Sequence, residues 1–154
     1  MLRERLSETL KTALKSREQR TVSTVRLILA AIKDRDIAAR GRGNAEGITD
    51  QDIYSVLQTM IRQREESIKL YEQGGRLELA QQEAEEIAII EGFLPKALDA
   101  AAADKAIDDV LAEIGAGSLR DMGRAMAVLR ERFAGQMDFT KASARVRERL
   151  TALG

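Results

Sequence analysis

The residues best equipped for chemistry in this chain are two sets of like charges at helical spacing. Glu83, Glu85 and Glu86 stand close together, with Glu91 one turn on. Glu83 and Glu86 are three apart, so on a helix their carboxylates share a face. Such a pair suits a hard cation or a division of acid and base roles. A structural reading competes with it. Arg62, Arg64 and Arg76 lie just before them, and antiparallel packing of the two segments sets guanidinium against carboxylate. Arg64 falls between Met60 and Ile68 on an apolar stripe, where a lone charge is expensive. Arg64 is therefore expected to meet Glu83 or Glu86, with Arg76 in the same set of structural ion pairs. On this reading there is no catalytic residue, no metal site and no cofactor.

The second set is basic. Arg120, Arg124, Arg130 and Arg132 fall on one segment near the C-terminus, and Lys141, Arg145, Arg147 and Arg149 on the next. Helices studded this way can track phosphates by coulombic attraction and counterion release. The two segments joined by Gly115-Ala116-Gly117-Ser118 have the outline of a helix-turn-helix, an outline shared by many proteins that touch no nucleic acid. Arg26 and Lys33 offer a second basic face. Arg40-Gly41-Arg42-Gly43-Asn44 lacks GxxxxGK[ST] spacing and a preceding strand, so it reads as a mobile basic loop rather than a phosphate cradle. Phe133 and Phe139 are assigned to the core, not to a base-stacking surface.

Absences narrow the chemistry further. Among 154 residues there is no His and no Cys, which removes imidazole bases, thiol nucleophiles, disulfides and His/Cys metal sites. Carboxylates alone leave catalysis disfavoured. No apolar run approaches the ~20 residues that span a bilayer, and Met1 to Thr12 has no signal-peptide core. A cytoplasmic protein with no membrane contact is the expectation.

The formal net charge is zero, yet the charges are segregated. Residues 1–48 carry 11 positive and 6 negative charges, residues 49–117 carry 6 and 15, and residues 118–154 carry 8 and 4. Basic ends around an acidic middle create local fields that attract a polyanion, unless the ends pair with the middle inside the fold.

The elements that must position these groups are helical. Leu2, Leu6, Leu10 and Leu14 form one stripe, and Val22, Val25, Leu29 and Ile32 a second that ends near Ala39. After the glycine-rich break, Thr49 caps a third helix carrying Ile53, Val56, Leu57, Met60, Ile61, Ile68 and Tyr71 as far as Gly74-Gly75. A fourth carries Leu77, Ala80, Ala84, Ile87 and Ile90. Pro95, the sole proline, bars a helix from running through it and marks the boundary between units 1–94 and 95–154. Beyond it, Asp99 caps a helix with Ile107, Val110, Leu111 and Ile114 inward. Ser118 caps the next, with Leu119, Met122, Met126, Leu129 and Phe133 inward. A last helix uses Ala142, Val146, Leu150 and Leu153. No strand-like alternation or long repeat is present, so the fold class is all-α, with about seven helices in two units.

Several stretches resemble the GatB/YqeY family. They are Thr24-Val25-Arg26-Leu27, Ile61-Arg62-Gln63-Arg64-Glu65-Glu66-Ser67, and Gly75-Arg76-Leu77-Glu78-Leu79-Ala80 with Glu83, Glu86-Ile87 and Phe93-Leu94-Pro95. Asp121-Met122-Gly123-Arg124-Ala125-Met126, Gly135 and Asp138 complete the pattern. The order covers nearly the whole chain and is similar to the stand-alone YqeY-like proteins, related to the tail of the B subunit of the aspartyl/glutamyl-tRNA amidotransferase. The resemblance implies a larger N-terminal helical domain and a C-terminal three-helix domain. It also implies association with tRNA, or with an amidotransferase or aminoacyl-tRNA synthetase. The family label is a carbon–nitrogen ligase with glutamine as amido donor, although nothing in this chain resembles the catalytic parts. One departure stands out: after Gly135 the family offers a basic residue, a small one, then Asp, whereas this chain has Gln136-Met137-Asp138.

Overall fold

The computed structural model describes residues 1–154 as seven α-helices and one short 3-10 turn, with no strand. Two compact units meet in the chain at Pro95 and Lys96.

The first unit holds four helices: α1 (Leu2–Ser16), α2 (Gln19–Gly41), α3 (Asp50–Gln73) and α4 (Leu77–Glu91). Its core is drawn from every one of them, with Leu6, Val25, Ile28, Ile53, Leu57 and Ile90 fully buried. At ~25 cal/mol per Å2 of apolar surface, each such side chain contributes roughly 1.5–3 kcal/mol. Helix α3 starts where its sequence provides a reciprocal cap. The Asp52 N–H donates to the Thr49 hydroxyl, and the Thr49 N–H donates to the Asp52 carboxylate. Helices α3 and α4 form an antiparallel hairpin about Gly74-Gly75, which sets Arg64 and Glu86 at nearly equal distances from the turn.

The second unit holds α5 (Ala100–Glu113), the 3-10 turn Leu119–Asp121, α6 (Met122–Arg132) and α7 (Phe139–Leu153). Ile107, Val110, Leu129, Val146 and Leu150 fill its core, with Phe133 and Phe139 packed against it. The Asp99 carboxylate accepts from Ala102 N–H, capping α5, and the Asp138 carboxylate accepts from Thr140 and Lys141 N–H, capping α7.

Periodicity misplaced several side chains at helix ends. Leu14, Leu77, Leu119 and Leu153 are about half or more exposed; Ala84 is exposed too, although it lies in the middle of α4. The stripe lies truly along the middle turns, where a neighbouring helix covers it; a terminal turn overhangs its neighbour. Ser118 caps a 3-10 turn before α6 rather than α6 itself. Gly123 has open space around its α-carbon, so close helix packing does not explain it. Gly135 adopts φ +77 in a tight turn, a conformation that favours glycine.

One core group is out of place chemically. Thr24 is fully buried on α2, and its hydroxyl has no hydrogen-bond partner. Burying an unpaired hydroxyl costs about 1–3 kcal/mol. Thr24→Val keeps the shape and removes that cost. Urea unfolding should therefore show the variant more stable by about 1 kcal/mol; equal or lower stability would show that the hydroxyl is satisfied in solution.

Candidate nucleic-acid interface

The C-terminal arginines are largely folded onto the unit's own carboxylates. Arg145 pairs with Asp104, and four residues further along both helices Arg149 pairs with Asp108, while also lying 3.9 Å from Asp104. The common offset of 41 residues means that α5 and α7 run in the same direction, so the basic edge of one is zipped to the acidic edge of the other. Arg132 pairs with Glu113 at the end of α5, and that contact raises the guanidinium pKa further. Arg124 donates to Asp121 at 2.9 Å and to the Ile114 carbonyl at 3.1 Å. Asp121 in turn accepts from the Gly117 and Ser118 N–H groups, which hold its carboxyl below the usual range.

Of the two alternatives that the charge segregation leaves open, pairing of the basic end with the acidic middle accounts for part of these helices. Arg124, Arg132 and Arg145 are engaged in ion pairs, and Arg130 also has a partner within the chain. Arg120, Lys141 and Arg147 are exposed and form no ion pair. The Gln136-Met137-Asp138 run is structural here. Gln136 donates to the Lys96 carbonyl, Met137 is buried and Asp138 caps α7. An apolar cavity of about 630 Å3 lies between α5, this run and α7, with Lys141 and Arg145 at its edge.

The N-terminal unit presents its cations differently. Arg26, Lys33 and Arg40 are spaced by seven along α2, which places them on one stripe about 10 Å apart. The residues between them on that stripe, Ala30 and Ile37, are uncharged, and all five are exposed. None of the three cations forms an ion pair. The sequence reading found Arg26 and Lys33; Arg40, assigned to the loop, belongs to the helix, which continues through Gly41.

The loop that follows is fastened at its far end to α1 and α2. Asp36 accepts two hydrogen bonds from the Arg3 guanidinium, at 2.8 and 2.9 Å, and one from the Ile48 N–H at 2.8 Å. Arg3 also donates to the Ile48 carbonyl. These contacts hold the Asp36 carboxyl at about 2, with the Arg3 hydrogen bond the largest cause. Residues 33 and 45 positions apart are involved, and no periodicity signals such a latch.

At the acidic stretch, Arg64 Nε donates to Glu86 Oε2 at 2.9 Å, with both side chains largely buried. Its Nη1 donates to the Met60 carbonyl. Glu83 makes no hydrogen bond to Arg64; burial, aided by the charge of Glu86, pushes its carboxyl up. Arg76 differs from expectation, pairing with Glu78 in the same turn. Arg62 donates to Thr59. No cluster of three or more carboxylates converges as a cation site.

These features define an all-helical protein of two units, each with its own buried core. The chain belongs to the YqeY-like family: the family described as "Yqey-like protein" matches residues 3–150. It is also similar to "Altered inheritance of mitochondria protein 41, mitochondrial" of Lachancea thermotolerans, with 33% identity over 89 residues, 58% of this chain and 46% of that protein. "Uncharacterized protein C22F3.15" of Schizosaccharomyces pombe is 29% identical over 84 residues, 54% of this chain and 64% of that protein. The matched region thus spans about half of the first relative and under two thirds of the second. No helix is long and apolar enough to cross a membrane.

Proposed function

We propose that this protein is a non-catalytic RNA-binding helper related to the amidotransferase tail, with tRNA as its ligand. The observation that carries this reading is the line of three exposed cations on α2, Arg26, Lys33 and Arg40, none held in an ion pair, although the Asp36 carboxylate acts on Arg40 from one turn back. Ion-paired arginines must first break a bond within the protein; unpaired ones gain the full phosphate contact and release counterions on binding. Arg120 and Lys141 supply a smaller second contact on the other unit. Phosphate contacts carry no base identity, so selection of tRNA rests on shape. Within the machinery that family membership suggests, such a helper holds an RNA substrate while an amidotransferase or synthetase does the chemistry.

Titration of total tRNA at low and high salt tests the reading. Binding should be strong at low salt and fall steeply as salt rises. The triple variant R26E/K33E/R40E should weaken binding at least tenfold and flatten the salt dependence by about 0.7–0.9 per cation removed. Absence of binding by the wild-type chain at low salt overturns the proposal.

A further inference from the structure

A second surface lies at the turn between α1 and α2. Leu14, Arg17, Gln19, Val22, Arg26 and Leu27 line a groove of about 670 Å3 that is mainly apolar. Leu14 and Leu27 are each 49% exposed there, although both lie on helices with a core to fill. No carboxylate lines the groove; Glu18, next to Arg17 in the chain, adjoins it, and Arg20 beyond is already engaged by Glu85. Arg17 and Arg26 form no ion pair.

The backbone at Arg17 is the independent observation. Arg17 has φ 57 and ψ 35, and is the only residue other than glycine with positive φ. It closes α1 in the six-to-one turn, with Glu18 N–H donating to the Ala13 carbonyl and Arg17 N–H to the Leu14 carbonyl. Glycine is the residue that takes this position without strain. An arginine there strains the backbone for a side chain that makes no hydrogen bond or ion pair within the chain, which fits strain held at a site of function.

We propose that this groove docks an amphipathic helix of a protein partner, with apolar residues on one edge and glutamates or aspartates beside them. Leu14, Val22 and Leu27 receive the apolar side chains, and Arg17 and Arg26 flank them to engage carboxylates. The apolar lining favours a protein over RNA, since a sugar–phosphate chain gains nothing from leucines. Arg26 is shared with the cation line on α2; Arg17, Leu14 and Leu27 are not, so the two surfaces are separable.

The test uses a fluorescent 17-residue designed helix with leucines at i, i+4, i+7 and i+11 flanked by glutamates, read by anisotropy against the full chain. Its counterpart carries lysines for the glutamates. The wild-type chain should bind the glutamate helix saturably and at least tenfold more tightly than the lysine helix. Arg17→Gly should raise the melting temperature by about 3–5 °C, by relieving the left-handed strain, yet weaken the glutamate helix at least tenfold. Leu27→Glu should weaken it similarly, while Lys33→Glu should leave it within twofold. Equal binding of both helices, or full binding by Arg17→Gly, overturns the proposal. So does displacement of the peptide by tRNA whose own binding Arg17→Gly abolishes, which would assign the groove to RNA. Loss of tRNA binding by K33E/R40E, with the glutamate helix still bound within twofold, supports the proposal of two separate surfaces.

Discussion

Gly47→Ala is expected to destabilise the N-terminal unit by about 2–3 kcal/mol. Gly47 has φ +88, where an L side chain is strained. It is also buried, and an added Cβ would lie 2.6 Å from Asp36 Oδ1 and 3.3 Å from Arg3 Nη2. A carboxylate at the end of a free side chain would move aside at little cost. This one is held by Arg3 and by the Ile48 N–H, so any shift stretches the hydrogen bonds that fasten the loop to α1 and α2. Tyr54 and Tyr71 are the only tyrosines and there is no tryptophan, so tyrosine fluorescence reports urea unfolding of this unit alone. An unchanged midpoint would show that the latch yields.

The same latch makes a signed pH prediction. The Asp36 carboxyl titrates at about 2 in the fold against 3.8 ordinarily, so the unfolded chain takes up the proton first as pH falls. The contribution, roughly 2 kcal/mol, is fully present above the unfolded value and is lost as pH falls from there through about 2. Asp36→Asn should accordingly lie below wild type in stability at pH 6, and the gap should close below about pH 4.

Arg64→Ala is expected to cost about 2–4 kcal/mol, with the loss again read by tyrosine fluorescence. The side chains of Arg64 and Glu86 are only 13% and 17% exposed, so neither end of the pair is well solvated. Removing the guanidinium leaves Glu86 buried without its countercharge and beside Glu83, and frees the Met60 carbonyl contact. The pair as a whole is worth much less than this, because burying both charges carries its own penalty. The double variant Arg64→Met/Glu86→Leu should therefore recover most of the loss. A double variant no better than Arg64→Ala would mean that the loss does not come from leaving the Glu86 charge unpaired.

These cases show where sequence reading was strong and where it failed. Ile53, Val56, Leu57 and Met60 form a stripe because the helical period is a local property, and the structure buries all four. Thr49, Asp99 and Pro95 act within a turn or two of themselves, so their effects on element boundaries were legible without a fold. Arg64 between Met60 and Ile68 already implied a carboxylate partner on the next helix. The choice of Glu86 over Glu83 depended on the rotation of α4 about its axis, which the sequence does not state. Arg76 pairs instead with Glu78, two residues away in the same turn, because a nearer acid needs no cross-helix alignment.

The amino-acid order by itself determined seven helices, the break at Pro95, and a chemistry without imidazole or thiol, since these follow from backbone propensity, residue type and spacing along one chain. Tertiary structure alone decided which cations face outward. Arg145 and Arg149 are paired with Asp104 and Asp108 because α5 and α7 pack in parallel and in register, whereas Arg26, Lys33 and Arg40 form no ion pair with a neighbouring helix. Coulombic pairing falls off within a few ångströms, so it is governed by the alignment of helices far apart in sequence, which residue spacing within either helix does not encode.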